Sequence, residues 1–124
     1  MDLQSNINEF LDMLQKGQML EAFEKYYADD VVMQENNEPP RVGKDKNREF
    51  EKEFLSGVEA VHDSQIKNVA LDPKNNVAMI QEYMDMTMKG VGRVQMEEVS
   101  VQTWKDGKIV HEHFFYNHGE GGTA

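Results

Sequence analysis

The chain of 124 residues carries 23 acidic against 13 basic side chains, for a net charge of −10, and is 39 % apolar and 29 % charged. That describes one ordinary foldable domain, with room for a core and a small cavity beside it. An acidic field without a lysine or arginine stripe argues against nucleic acid and anionic membrane surfaces as partners. The absence of cysteine excludes disulfides, thiolate nucleophiles, Cys-ligated zinc and iron–sulfur clusters.

The segment Met1 to Ser5 is neither basic nor followed by an apolar run, so it does not read as a signal peptide. No apolar run nears the ~18–20 residues of a membrane span, and a soluble cytoplasmic domain is expected. Leu3, Ile7, Phe10, Leu11 and Leu14 recur at helical spacing, with Ser5 or Asn6 near the start and Gly17 to end the helix. Leu20, Phe23 and Tyr26 or Tyr27 form a second helical stripe. Val31 to Glu35 reads as a short strand after the punctuation of Asp29-Asp30. Asn36 to Arg41 holds Pro39-Pro40 and must be a loop. A charged helix follows from Gly43, with Phe50, Phe54 and Leu55 on one side, and closes at Gly57.

The second half changes to strand periodicity. Val58–Leu71, Val77–Met88, Arg93–Trp104 and Ile109–Asn117 read as strands. They are separated by Asp72-Pro73-Lys74-Asn75-Asn76, Lys89-Gly90-Val91-Gly92 and Lys105-Asp106-Gly107-Lys108. Residues 1–117 are expected to form one domain, with 118–124 as a flexible tail. Helices followed by hairpins predict an α+β fold, with helices over one face of an antiparallel sheet. Strands of about twelve residues reach roughly 40 Å and curl, which makes a cone with a pocket.

Hairpin register then assigns side chains to faces. A type I′ turn at Asp106-Gly107 pairs Trp104 with Ile109, Gln102 with His111, Ser100 with His113 and Glu98 with Phe115. A similar even-length turn at Gly90-Val91 sets Tyr83 beside Glu98, Gln81 beside Ser100 and Asp85 beside Met96. One face would then mix Met79, Gln81, Tyr83, Asp85, Glu98, Gln102, Trp104, His111, His113 and Phe115. The other would be aliphatic, with Val99, Val101 and a stripe of Met84, Met86 and Met88 that suits interface packing. Neither face is cleanly polar, so both should be covered: one by helices and a pocket, the other by a second subunit in a homodimer. His62 stays without a face.

Three features together resemble the nuclear transport factor 2-like superfamily, in its SnoaL-like polyketide cyclase and ketosteroid isomerase-like branch. They are the run Tyr27-Ala28-Asp29-Asp30-Val31-Val32-Met33, the Pro39-Pro40 to Gly43 turn before a helix, and the ending from Glu97-Glu98-Val99 through Trp104-Lys105-Asp106-Gly107-Lys108-Ile109-Val110. The likeness runs from Leu3 to Asn117 and rests on element order and ending jointly. It implies a cone-shaped α+β barrel, usually dimeric, with a pocket between curved sheet and helices. Catalytic members of that branch move a proton next to a carbonyl with a pocket carboxylate, using neither metal nor organic cofactor. In steroid isomerases a tyrosine and a protonated acid stabilise the enolate. In the late strand, where cyclases often keep an acid, this chain reads His113-Phe114-Phe115-Tyr116-Asn117 and ends on Asn.

On the predicted register, Glu98, Tyr83, His113 and His111 form the candidate acid–base set, with Gln81, Asp85, Gln102, Trp104 and Phe115 as candidate ligand contacts. The same acids, amide and imidazoles could instead satisfy one another as a structural network. His111 and His113 sit at a chelating spacing, but a metal site needs three or four ligands, and no metal or cofactor is expected. Two functions follow. One is cofactor-free proton transfer, of isomerase or cyclase type, on a small apolar carbonyl compound. The other is a non-catalytic module that binds a small ligand or a protein.

Overall fold

The structure, a computed structural model, describes residues 2–117, so the predicted tail at 118–124 lies outside the described residues. The elements in chain order are α1 (Leu3–Gln15), α2 (Met19–Tyr26), β1 (Tyr27–Glu35), β2 (Arg41–Val42), α3 (Lys44–Gly57), β3 (Val58–Asp72), β4 (Val77–Met88), β5 (Gly92–Lys105) and β6 (Lys108–Tyr116). Three helices cover one face of a six-stranded sheet ordered β2-β1-β6-β5-β4-β3. The sheet is mixed rather than purely antiparallel, because β6 runs parallel to β1 while every other pair is antiparallel. It remains open, with β2 and β3 as its edges.

Local chemistry explains the helix ends. Asp2, rather than Ser5 or Asn6, caps α1, its carboxylate accepting from the Ser5 amide at 2.8 Å. At the other end Gly17 takes φ 76°, and the Gln18 amide reaches back to the Met13 carbonyl at 2.9 Å. That is a Schellman-type stop. The β1 strand begins at Tyr27, directly after α2, instead of at Val31; its pairing with β6 shifts between Tyr27 and Val32, across the exposed Asp29-Asp30.

Asn47 ties the start of α3 to the β2 edge. This fully buried amide donates to the carbonyls of Gly43 (2.8 Å) and Arg41 (3.0 Å) and accepts from Arg41 Nε (3.0 Å). Residues four apart on a helix share a face, so this clamp also aims Glu51 inward. Ile7, Phe10, Phe23, Tyr26, Met33, Ile80, Trp104 and Ile109 pack between helices and sheet as the core. Its aromatic centre is edge-on, with Phe10 and Tyr26 ring centroids 6.2 and 5.5 Å from Trp104.

The Asp106-Gly107 turn forms as expected, with φ 52° and 76° and with Trp104 opposite Ile109. One residue further a β-bulge between Thr103 and Trp104 shifts the ladder, so that Gln102 faces Glu112, Ser100 faces Phe114 and Glu98 faces Tyr116. The β4–β5 connection is a three-residue loop, Lys89 to Val91, which sets Met88 opposite Gly92 and Glu82 opposite Glu98. Both ladders therefore differ by one residue from the predicted ones. A one-residue slip moves every side chain to the other face. Three further register shifts in β3 add to the curl around the helical layer.

Candidate functional site

A cavity of about 300 Å³ lies between the helices and the sheet. Phe10 and Leu14 of α1, Met19 and Phe23 of α2, and Phe50 and Phe54 of α3 form its helical wall. Met84, Met86 and Met88 of β4, Val94 and Met96 of β5 and Phe114 of β6 line the sheet side. The methionine stripe therefore faces the cavity rather than the outer sheet face, because β4 and β5 pair one residue away from the expected register. Thioethers and phenyl rings make a deformable, polarisable surface, suited to an apolar body of irregular shape.

Five carboxyl groups enter this apolar space: Glu35, Glu51, Glu82, Glu98 and Glu112. No lysine, arginine or histidine lines it. Two of the acids are held by the protein. Glu35 accepts from Arg41 Nη2 at 2.9 Å and from the Tyr116 hydroxyl at 3.1 Å. Glu112, fully enclosed, accepts from the Tyr27 hydroxyl and from Gln102 Nε2, the latter at 2.7 Å. Trp104 Nε1 donates to Gln102 Oε1 at 3.1 Å, which orients the amide so that its nitrogen points to the acid. Burial pushes the Glu112 carboxyl up to about 8, and the hydrogen bonds from Tyr27 and Gln102 pull in the opposite direction. Burial, with the Glu112 charge behind it, raises the Tyr27 phenol far above its ordinary range, so it stays a donor.

The other three acids have no hydrogen-bond or ion-pair partner among the described residues. Glu98 is pushed up to about 9, first by burial and then by the charges of Glu82 and Glu112. Burial also raises Glu82. Glu51 rises to about 7 through burial and the nearby Glu35 charge, with Arg41 opposing. Glu82 and Glu98 are direct cross-strand partners on one side of the sheet, which puts their Cβ atoms roughly 5 Å apart. Two carboxyls so placed in an apolar wall resist double ionisation and tend to share one proton.

Of the residues predicted from sequence, Glu98 and Gln102 line the cavity, and Trp104 lies buried beneath it against Phe10 and Tyr26. Tyr83, Gln81, Asp85, His111, His113 and Phe115 stand on the opposite face of the sheet, so the structure does not bring them to Glu98. There Asp85 is gripped by Nε and Nη2 of Arg93, which holds its carboxyl down at about 2. Gln81 accepts from Asn68, Tyr83 accepts from Gln95, and His113 stacks on Phe115 with centroids 4.1 Å apart while contacting the Asn36 carbonyl. His62 lies on exposed β3 against Thr87. Glu82, Glu112, Glu51, Glu35, Tyr27 and Tyr116 are not among the site residues predicted from sequence. The signal that could have found Glu82 is the apolar run Met84, Met86, Met88, Val94 and Met96, which belongs on the core side and carries Glu82 and Glu98 with it.

Among the described residues no helix is long and apolar enough to cross a membrane. Among curated proteins, none matches this sequence. Solved structures do. A proposed SnoaL-like polyketide cyclase from Mesorhizobium loti is 30 % identical with a TM-score of 0.85, the match covering 94 % of this chain and 100 % of that one. A second proposed SnoaL-like polyketide cyclase, from Jannaschia sp. CCS1, has 13 % identity and a TM-score of 0.77 over 92 % of this chain and 86 % of its own. A proposed isomerase from Bacillus subtilis has 16 % identity and a TM-score of 0.76, covering 96 % and 92 %. The last two establish likeness of fold alone. The SnoaL-like domain model matches residues 1–116, almost the whole chain, and with the helices-over-curved-sheet architecture around an acid-bearing cavity this makes the protein a member of the SnoaL-like domain family.

Proposed function

We propose that the cavity carries out cofactor-free proton transfer next to the carbonyl of a small apolar compound, in the manner of an isomerase or cyclase. The observation that carries this reading is the unpartnered Glu82–Glu98 pair in the sheet wall of the cavity. With one proton between them, the pair offers a base and an acid at once. The ionised member, Glu82, takes a proton from the carbon beside the carbonyl. The C–H electron pair moves into the new C=C bond, and the carbonyl π pair moves onto oxygen. Glu98, which burial keeps protonated at neutral pH, donates a hydrogen bond to that oxygen. Return of the proton from Glu82 to another carbon of the enolate completes an isomerisation. The apolar walls exclude the water that would otherwise compete for both groups.

The test is exchange of deuterium from heavy water into a β,γ-unsaturated cyclic ketone, followed by NMR together with isomerisation. Wild-type protein should accelerate both, and Glu98→Gln and Glu82→Gln should each lose about a hundredfold or more with the fold intact. A wild type that binds the ketone without exchanging its protons would instead make this a non-catalytic binding module.

The proposed assembly is a homodimer through the outer sheet face. Met79, Val99 and Phe115 are 47 %, 37 % and 46 % exposed there, an apolar surface unusual for so acidic a domain. Sedimentation equilibrium that returned the monomer mass at micromolar concentration would dismiss it.

A further inference from the structure

The helical wall carries an acid that proton transfer at Glu82 and Glu98 leaves unused. Glu51, on α3, lines the cavity, is only 8 % exposed, and has no hydrogen-bond or ion-pair partner among the described residues. Leaving a carboxylate buried and unpaired is costly, so its retention points to a partner that arrives from outside. Arg41 is the nearby cation, but its guanidinium is committed elsewhere. It donates to Glu35 at 2.9 Å and to Asn47 at 3.0 Å, and lies 3.5 Å over the centroid of Phe50. No cationic side chain lines the cavity.

An inorganic cation does not fit this arrangement. Among the described residues no three acids or imidazoles are placed to hold a metal ion. The cavity is walled by phenylalanine rings and thioethers. Such walls favour an organic ammonium group, through cation–π attraction and through contact with its carbon skeleton. We infer that the compound this cavity takes is an apolar amine, its protonated nitrogen held by Glu51 and its hydrocarbon body packed against Phe50, Phe54 and the methionines of β4. The inference rests on the proton-transfer reading for the same cavity, and adds that the carbonyl substrate carries a basic nitrogen remote from its reacting carbon.

Binding of naphthylmethylamine and of its neutral isostere naphthylmethanol, measured by titration calorimetry at mildly alkaline pH, tests the assignment. Wild type should hold the amine about tenfold or more tighter than the alcohol, the size of a charge-assisted contact. Glu51→Gln should abolish that preference and leave alcohol affinity unchanged, whereas Glu98→Gln should keep it. Glu51→Asp, which retains the charge, should keep part of it. Equal affinities for the two probes in wild type, or an amine preference that survives Glu51→Gln, would overturn the inference. If Glu51→Gln does not fold, the wild-type comparison and Glu98→Gln still decide. Amine selectivity without proton exchange in any ketone would defeat the proton-transfer reading alone; ketone exchange without amine selectivity would defeat this inference alone.

Discussion

Replacing Glu98 by Gln should make the protein more stable at neutral and alkaline pH. In the folded chain burial and the neighbouring acids carry this carboxyl from 4.5 up to about 9. Between those values the folded protein retains a proton that the unfolded chain has released. Folding therefore takes up a proton, and stability falls as pH rises through that window. At pH 7 the unfolded carboxyl lies about 2.5 pH units above its pKa, which corresponds to on the order of 3 kcal/mol against folding. Gln keeps the shape of the protonated acid and has no proton to lose, so this penalty disappears. The assay is urea unfolding of both proteins from pH 5 to pH 9. Wild-type midpoints should fall across the series, and those of Glu98→Gln should fall distinctly less, the residual slope coming from Glu82, Glu51 and Glu112. Parallel curves for the two proteins would refute the placement of Glu98 in an apolar wall.

Tyr27→Phe removes the hydroxyl donor to the enclosed Glu112 and should cost about 1–3 kcal/mol in urea unfolding, with the far-ultraviolet spectrum unchanged. Asn47→Ala breaks the clamp between β2 and the start of α3; a loss on the order of 2–3 kcal/mol is expected, with faster amide exchange in Lys44 to Glu51. Gly107→Ala meets no close atom, the nearest being Asn6 Nδ2 at 3.9 Å, so its expected penalty of about 1 kcal/mol comes from the left-handed backbone at φ 76° alone. Thermal unfolding of Gly107→Ala beside wild type reads that difference directly.

The helices, the long strands and the positions of the turns between them were legible because each is a local matter. Leu3, Ile7, Phe10 and Leu14 announce α1 by spacing, Gly17 ends it by backbone freedom, and Asp106-Gly107 forms the expected tight turn. Even so, the local signals do not carry the β1–β6 pairing. Its partners lie more than 75 residues apart and run parallel, and no turn connects them.

Composition and order by themselves determined an acidic α+β domain with helices over a curved sheet; Glu98 and Gln102 were reached through predicted registers that are one residue off in the structure. Only the tertiary structure decided which side chains share the cavity with them. Strand side chains alternate with a period of two, so parity along β4, β5 and β6 depends on single-residue events. Here those events are the three-residue Lys89–Val91 loop and the bulge at Thr103/Trp104. Together they put Glu82 opposite Glu98 and Glu112 on the same cavity face, and turned Tyr83, His111 and His113 to the other face. Glu51 joins them from α3, one helical turn beyond Asn47, which fixes the start of that helix against β2.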